Sequence, residues 1–344
     1  MSLIRTTLLQ ICFSCALVQA ASIARRAPAG VPQFALDYGP LIYLHSGDPY
    51  RPSDISSMLA NAQPKVNFEP VAGAPNPLTL DNLNALNGLG GESVYLTATK
   101  DVATDNQQAW LKGVAPNSAG KTDGAISSAI IVNEKDSTTT DVFYFFFYNY
   151  NSAPPVLGIT FGDHVGDWEH IMIRFKDGVP SAVWYSQHAD GQAFTYSATR
   201  KNGKRPIGYS SKGSHANYAV DGKHDHTIPQ VNLPANFLLT DDTNAGILWD
   251  PLSSAYFVKF DGPSNTFTAY DPDTPVNWLY YNGKWGDKQY PTSHKNQYVI
   301  LGQPRFADGP SGPLSKDLNR QNVCPGSVKT CWVRPFLTAK KAKT

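Results

Sequence analysis

The chain has 344 residues, with 29 Lys+Arg against 28 Asp+Glu, a formal net charge of +1 and only 17% charged residues. So even a balance lacks the Lys/Arg surplus that phosphate-backbone contacts need, which excludes a strongly basic nucleic-acid binder. Seventeen Tyr, 16 Phe and 7 Trp are more aromatic mass than a disordered chain carries, and enough for a large packed core.

The N-terminus has the pattern of a leader. Arg5 is a short basic region, Leu8 to Val18 is apolar apart from Gln10 and Ser14, and Val18-Gln19-Ala20 gives a small-residue cleavage pattern. The apolar run is shorter than the roughly 20 residues of a membrane span. A signal peptide is therefore predicted over residues 1–20, and a short propeptide over 21–26 ending at the dibasic pair Arg25-Arg26. Removing both takes away three cations and no acids, so the mature charge is −2. Cys12 and Cys15 leave with the leader, and Cys324 and Cys331 remain as an even pair in a secreted, extracellular chain, most simply a disulfide. Closing that short loop contributes about 2.5 kcal/mol by loop entropy. No Asn-x-Ser/Thr sequon occurs.

A single domain is predicted over 27–344, with a disulfide-stapled C-terminal tail. It opens with a short strand at Leu41–His45 and a helix started by Ser53. Pro, Asn and Gly then punctuate short helical pieces up to Gly120, one carrying Leu80, Leu83 and Leu86. From Ala125 the pattern turns to strands: 129–132, 141–150, 167–175, 181–188, 192–197, 207–211, 255–260 and 266–270. These are β-branched and aromatic runs separated by Gly, Asn or Asp turns. The fold class expected is β-rich, mainly β or α+β: a central antiparallel β-sandwich with small peripheral helices. The aromatic run from Phe143 to Tyr150 is expected to be its buried central strand.

One segment is dense in ligand chemistry: Gly162-Asp163-His164-Val165-Gly166-Asp167-Trp168-Glu169-His170. In a strand, Asp167 and Glu169 share one face, and Trp168 and His170 take the other. His164, in the turn just before, can fold back towards the acids. An imidazole and two carboxylates at a strand mouth suit a hard divalent cation, Mg²⁺ or Ca²⁺, and also admit Mn²⁺, Zn²⁺ or Fe²⁺. Two acids this close would repel unless a cation joined them, although a hydrogen-bonded turn would use the same residues.

Ser186-Gln187-His188 and Gly213-Ser214-His215 each put a histidine beside small polar residues at the end of a strand. His188 and His215 are candidates for further ligands, for acid/base groups, or for contacts to a sugar, with Asp163 and Trp168 as further pocket residues. His224-Asp225-His226 has the form of a metal clip, though a solvated loop explains it equally well. Ala115 to Thr122 meets only the loosest phosphate-loop pattern, without the first Gly and without a clear preceding strand, so no nucleotide is expected. No Gly-x-Ser-x-Gly elbow and no His-Glu-x-x-His motif occur.

The sequence resembles two families at these residues. Asp37-Tyr38-Gly39-Pro40, the Gly162–His170 segment, Ser186-Gln187-His188 and the stretch from Tyr209 to Tyr218 resemble the fungal vacuolar protein sorting-associated protein 62 family. That resemblance implies a trafficking role and admits the vacuolar lumen as an alternative location. The His-x-x-Asp-Trp-Glu spacing is also similar to the Gly-His-Arg-His-Asp-Trp-Glu heptapeptide of necrosis- and ethylene-inducing peptide-like proteins. That likeness implies metal ligands at His164, Asp167 and Glu169, a cytolysin-like β-sandwich, a glycan or sphingolipid head group as partner, and damage to membranes. The second motif His of that family is Gly166 here, and its upstream Asp ligand has only Asn149 or Asn151 as nearest candidates. Three functions follow from the residues and the resemblances together: a metal-assisted glycan or glycolipid binder, an extracellular metal-dependent hydrolase with His188 or His215 as base, and a structural or vacuolar protein in which the constellation only pins a turn. The sequence leaves catalysis undecided.

Overall fold

The apolar run at Phe143–Phe147 forms the centre of the fold in the computed structural model. The structure describes residues 27–153, 155, 158–225, 240–300 and 302–337. The predicted leader and propeptide, His226 and the last seven residues of the tail lie outside the described residues.

The strands used below are β1 (Leu41–Leu44), β2 (Ser128–Glu134), β3 (Thr139–Asn151), β4 (His164–Lys176), β5 (Val179–Gln187) and β6 (Asp190–Thr195). They continue as β7 (Lys201–Asn202), β8 (Arg205–Ser210), β9 (Asn217–Tyr218), β10 (Gly222–Asp225), β11 (Thr240–Thr243) and β12 (Ile247–Trp249). The last three are β13 (Ala255–Asp261), β14 (Thr266–Ala269) and β15 (Val333–Arg334). The main sheet has the order β14-β13-β2-β3-β4-β5-β6-β15. It is antiparallel except where β13 joins β2 and β15 joins β6. A second sheet runs β7-β8-β1-β12, with β9 on β8, and its β1–β8 pair is parallel. The expected β-rich class, with sheets and small helices, is what the chain adopts.

Both faces of the main sheet are covered, so β3 reads as a continuous apolar run rather than as an alternation. Val142, Tyr144, Phe146 and Tyr148 face the second sheet, meeting Ile42, Leu44 and Trp249. Phe143, Phe145 and Phe147 face the other way, against Met58, Leu83, Trp278 and Leu318. Each such side chain, fully buried, contributes roughly 1.5–3 kcal/mol.

The helix expected to start at Ser53 is α1, Ile55–Asn61, and its cap is Asp54, whose Oδ1 accepts from Ser56 N–H at 2.9 Å. Ser53 is instead buried and accepts from the Asn149 N–H at 3.0 Å, tying the helix entry to β3. Leu83 and Leu86 lie in a 3₁₀ turn, Leu83–Leu89. The Ala115–Thr122 segment is a turn closed by Gly120 N–H on Asn117 O at 2.9 Å, with no helix after it to cradle a phosphate. Cys324 and Cys331 are joined, their Cα atoms 5.5 Å apart. Among the described residues no helix is long and apolar enough to cross a membrane.

Candidate functional site

Strand β4 presents its acids where the pattern puts them. Glu169 lies opposite Phe146, and Asp167 opposite Tyr148, whose ring faces the second sheet. Both carboxylates are buried, at 6% and 5% exposure. Gly166 before them has φ +69°, and a Cβ there would stand 1.8 Å from Trp285 O. No side chain fits, which explains why Gly stands where the heptapeptide carries its second histidine.

Each acid has a protein partner. Asp167 Oδ2 is 2.9 Å from His215 Nδ1, and Glu169 accepts from the Ser186 hydroxyl. Burial, then the charge of Asp167, raises the Glu169 carboxyl well above its ordinary range. His164 Nδ1 lies 2.6 Å from Gly166 O. Loss of solvent lowers the His164 pKa against the opposing pull of Asp167.

Two loops close the site. His188, just past β5, and His215, between β8 and β9, both have φ 55°, a left-handed backbone that costs roughly 1–2 kcal/mol for such residues. The His215 turn is locked onto the end of β3. Gly213, with φ +77°, leaves no room for a Cβ, which would stand 1.8 Å from Ser152 O, and Gly213 N–H donates to Asp48 Oδ2 at 2.7 Å. The His215 ring stacks on Tyr148 at 3.7 Å, and its Nε2 points at Asp48 Oδ2, 3.5 Å away and beyond good hydrogen-bond range. His188 Nε2 lies 2.7 Å from Asp241 Oδ2. Ser214 and Tyr218 donate to Asp241 at 2.5 and 2.6 Å.

Sequence reasoning missed Asp48 and Asp241. With Asp167 and Glu169 they make four carboxylates at 6% exposure or less. Asp48 sits in a Ser-Gly-Asp-Pro turn and Asp241 on β11, and neither carries a motif. A small polar cavity of about 150 Å³ opens beside this cluster, lined by Asn151, His164, His188, Ser214, Asp241 and Gln303, with Phe161 as an aromatic wall. His164 and His188 thus share one cavity, while Asp167, Glu169 and His215 are packed beneath it. Among the described residues no three His, Cys, Asp or Glu groups converge closely enough to hold a metal ion as they stand.

Three expected residues fall elsewhere. Trp168 is not a pocket residue. It lies on the opposite face of β4, stacked on Trp278 at 5.5 Å and edge-on to Trp285 at 5.3 Å. Asp163 does not face the cavity either: its Oδ1 accepts from Ala153 N–H at 3.0 Å, pinning the loop, and burial pushes its carboxyl up to about 6. Asn149 donates to Trp110 O at 2.7 Å on the far face, which leaves Asn151 as the cavity-lining asparagine. His224 packs on Tyr218 with centroids 3.7 Å apart and sits 3.0 Å from Thr243 Oγ1, as part of a hairpin.

These features define a β-rich protein, built on an eight-stranded and a five-stranded sheet, with a buried carboxylate–histidine cluster under a small polar cavity. The chain belongs to the vacuolar protein sorting-associated protein 62 family, whose model matches residues 28–300. The vacuolar protein sorting-associated protein designated TDA6, from Saccharomyces cerevisiae, is 34% identical over 333 residues, covering 88% of this chain and 70% of the relative. Vacuolar protein sorting-associated protein 62 of the same yeast is 31% identical over 321 residues, covering 86% and 68%. Among solved structures, NLPPya in complex with glucosamine is similar at 11% identity and a TM-score of 0.31, covering 68% of this chain and 77% of that one. Necrosis and ethylene inducing protein 2, from the causal agent of cocoa's witches' broom disease, is similar at 12% identity and a TM-score of 0.29, covering 67% and 75%.

Proposed function

We propose that the chain is a lumenal or extracellular binding protein that uses a divalent cation to recognise the polar head group of a glycan or glycolipid. The carrying observation is the excess of buried acid: four carboxylates face three histidines, and burial disfavours the charged form of His164. Ionising this many buried acids together is expensive unless a cation shares the charge. His164, Asp167 and Glu169 would hold the ion. His164 keeps Nδ1 on a backbone carbonyl, as histidine ligands do, and His215 orients Asp167 from behind. The oxygen-rich donor set favours Mg²⁺ or Ca²⁺ over Mn²⁺ or Zn²⁺. Bound there, the ion supplies a positive centre for sugar hydroxyls or an anionic group.

The cavity is smaller than the roughly 300–1,000 Å³ of drug-sized ligand pockets, and its lining is amide, imidazole, hydroxyl and the Asp241 carboxylate, with the Phe161 ring. That suits one sugar ring. The Cys324–Cys331 disulfide supports an oxidising compartment, whether the vacuolar lumen or the exterior. A vacuolar site also agrees with the names of the yeast relatives. A second reading, a metal-dependent hydrolase, is favoured by the His188–Asp241 contact at 2.7 Å, an imidazole oriented by a carboxylate beside the cavity.

A glycan array, run in Mg²⁺ or Ca²⁺ and again in chelator, tests the binding reading beside a panel of esters and glycosides. Cation-dependent glycan binding without turnover is the expected result, with leakage of sphingolipid vesicles only in the presence of the cation if membranes are the target. Turnover abolished by His188→Ala would replace the binding reading with the hydrolase. Binding indifferent to the cation would overturn both.

A further inference from the structure

A second cavity, of about 520 Å³ and lined in part by Ser186, lies on the other side of His188, which lines both. Its floor is His170 and Trp184 on β4 and β5. Its opposite wall comes from the C-terminal segment: Ser311, Lys316, Arg320 and, inside the disulfide loop, Ser327. The staple therefore shapes a wall of this cavity besides closing the tail.

The wall carries cations that no carboxylate pairs with. Arg320 is 2% exposed, yet its guanidinium donates to main-chain carbonyls, Asp317 O at 3.0 Å and Val323 O at 3.3 Å, and lies 4.9 Å over the Phe143 ring. Lys316 forms no ion pair among the described residues, and buried Glu169 feels its charge without contact. Trp184 Nε1 and His170 Nδ1 are buried without hydrogen-bond partners. The Ser311 hydroxyl accepts from Lys284 Nζ at 2.7 Å, which leaves its own proton to donate. Asp190 and Asp317, the acids of the lining, are exposed at the rim, and Asp317 Oδ2 is engaged by Gly326 N–H at 2.8 Å.

We infer that this cavity is a phosphate site, taking inorganic phosphate or the phosphate of a phosphorylated sugar. A planar carboxylate is best read by a free guanidinium fork, and the Arg320 fork is already spent on carbonyls. What the cavity offers is a point charge at Lys316, hydroxyls at Ser311 and Ser327, and a long-range field from Arg320, which suits a tetrahedral oxyanion.

Isothermal titration of the full chain with sodium phosphate, against chloride at equal ionic strength, tests the site. Saturable phosphate binding is expected, weakened about tenfold or more in Lys316→Met and kept within about threefold in Lys316→Arg. Circular dichroism checks that both variants are folded. A sugar 6-phosphate that binds more tightly than inorganic phosphate identifies a sugar phosphate as the source, through the shared His188 wall; equal affinity identifies free phosphate. Absence of saturable binding, or affinity unchanged in Lys316→Met, would overturn the assignment. No sugar array or divalent ion enters this titration, so its failure is distinct from failure of the cation-dependent reading.

Discussion

The two faces of β4 use the same stretch of sequence for opposite purposes. On one face Trp168 and His170 enter an aromatic core, and burial, aided by the Arg320 and Lys316 charges, lowers the His170 pKa well below the ordinary histidine range. On the other, Asp167 and Glu169 enter a polar pocket in which each acid has a hydrogen-bond partner, yet charge accumulates. Burial alone therefore does not separate core from site, since all four residues are at most 6% exposed. What separates them is the chemistry of what is buried: aromatic rings packed on aromatic rings on one face, carboxylates gathered with histidine on the other. On the aromatic face Trp168 Nε1 and His170 Nδ1 are buried without hydrogen-bond partners, whereas on the acidic face each carboxylate has one.

Breaking the aromatic face should cost stability first. Trp168→Ala is expected to lose about 3–5 kcal/mol in urea unfolding, with any residual cation response intact. A loss under about 1 kcal/mol would mean that the Trp168, Trp278 and Trp285 cluster is not core. Gly166→His, which restores the heptapeptide residue, should cost at least about 3 kcal/mol, because left-handed strain of about 1–3 kcal/mol adds to the clash with Trp285 O. A variant as stable as the wild type would place Gly166 in a different backbone. Removing the staple with Cys324→Ser and Cys331→Ser should cost about 2.5 kcal/mol, read as a fall in melting temperature.

The smallest of these effects is a pH dependence outside both faces. Asp287 accepts from Ala98 N–H at 2.6 Å and from the Tyr290 hydroxyl at 2.8 Å, and burial pushes its carboxyl up to about 6. Because the folded value lies above the unfolded one, the ionised form is disfavoured in the fold. Stability should therefore rise as pH falls from 7 through 6 towards 4, by about 1–3 kcal/mol, and hold level below that. Asp287→Asn should flatten that rise in a pH series of melting temperatures. An unchanged pH profile would assign the dependence to other carboxyls, Asp163 among them.

Much of this was legible in the sequence because it depends on local period. The β3 run, the strand turns and the alternation through β4 follow from neighbouring residues, and so did the opposite placement of Trp168, which makes its inclusion in the pocket a misreading of that same rule. The acid pair was legible because alternation in a strand puts Asp167 and Glu169 on one face, with His164 close by in sequence. Asp48 and Asp241 were not. Each reaches the cluster across long chain separations, 165 residues for the Asp48 contact with Gly213 and 53 for the Asp241 contact with His188. No local pattern encodes such a meeting. Helix entry failed for a related reason: Ser53 is a good cap by type, but β3 claims its hydroxyl and the cap passes to Asp54.

The central claim is that the acidic face of β4 is completed by a divalent cation. Thermal unfolding with and without Mg²⁺, Ca²⁺, Mn²⁺ or Zn²⁺ tests it on the wild type, Asp167→Asn and Glu169→Gln. At about 100 times the dissociation constant a bound ion adds about 2.7 kcal/mol, so a rise of several degrees is expected in the wild type and its loss in both variants. No cation-dependent rise in the wild type, or an equal rise in Asp167→Asn and Glu169→Gln, would contradict it.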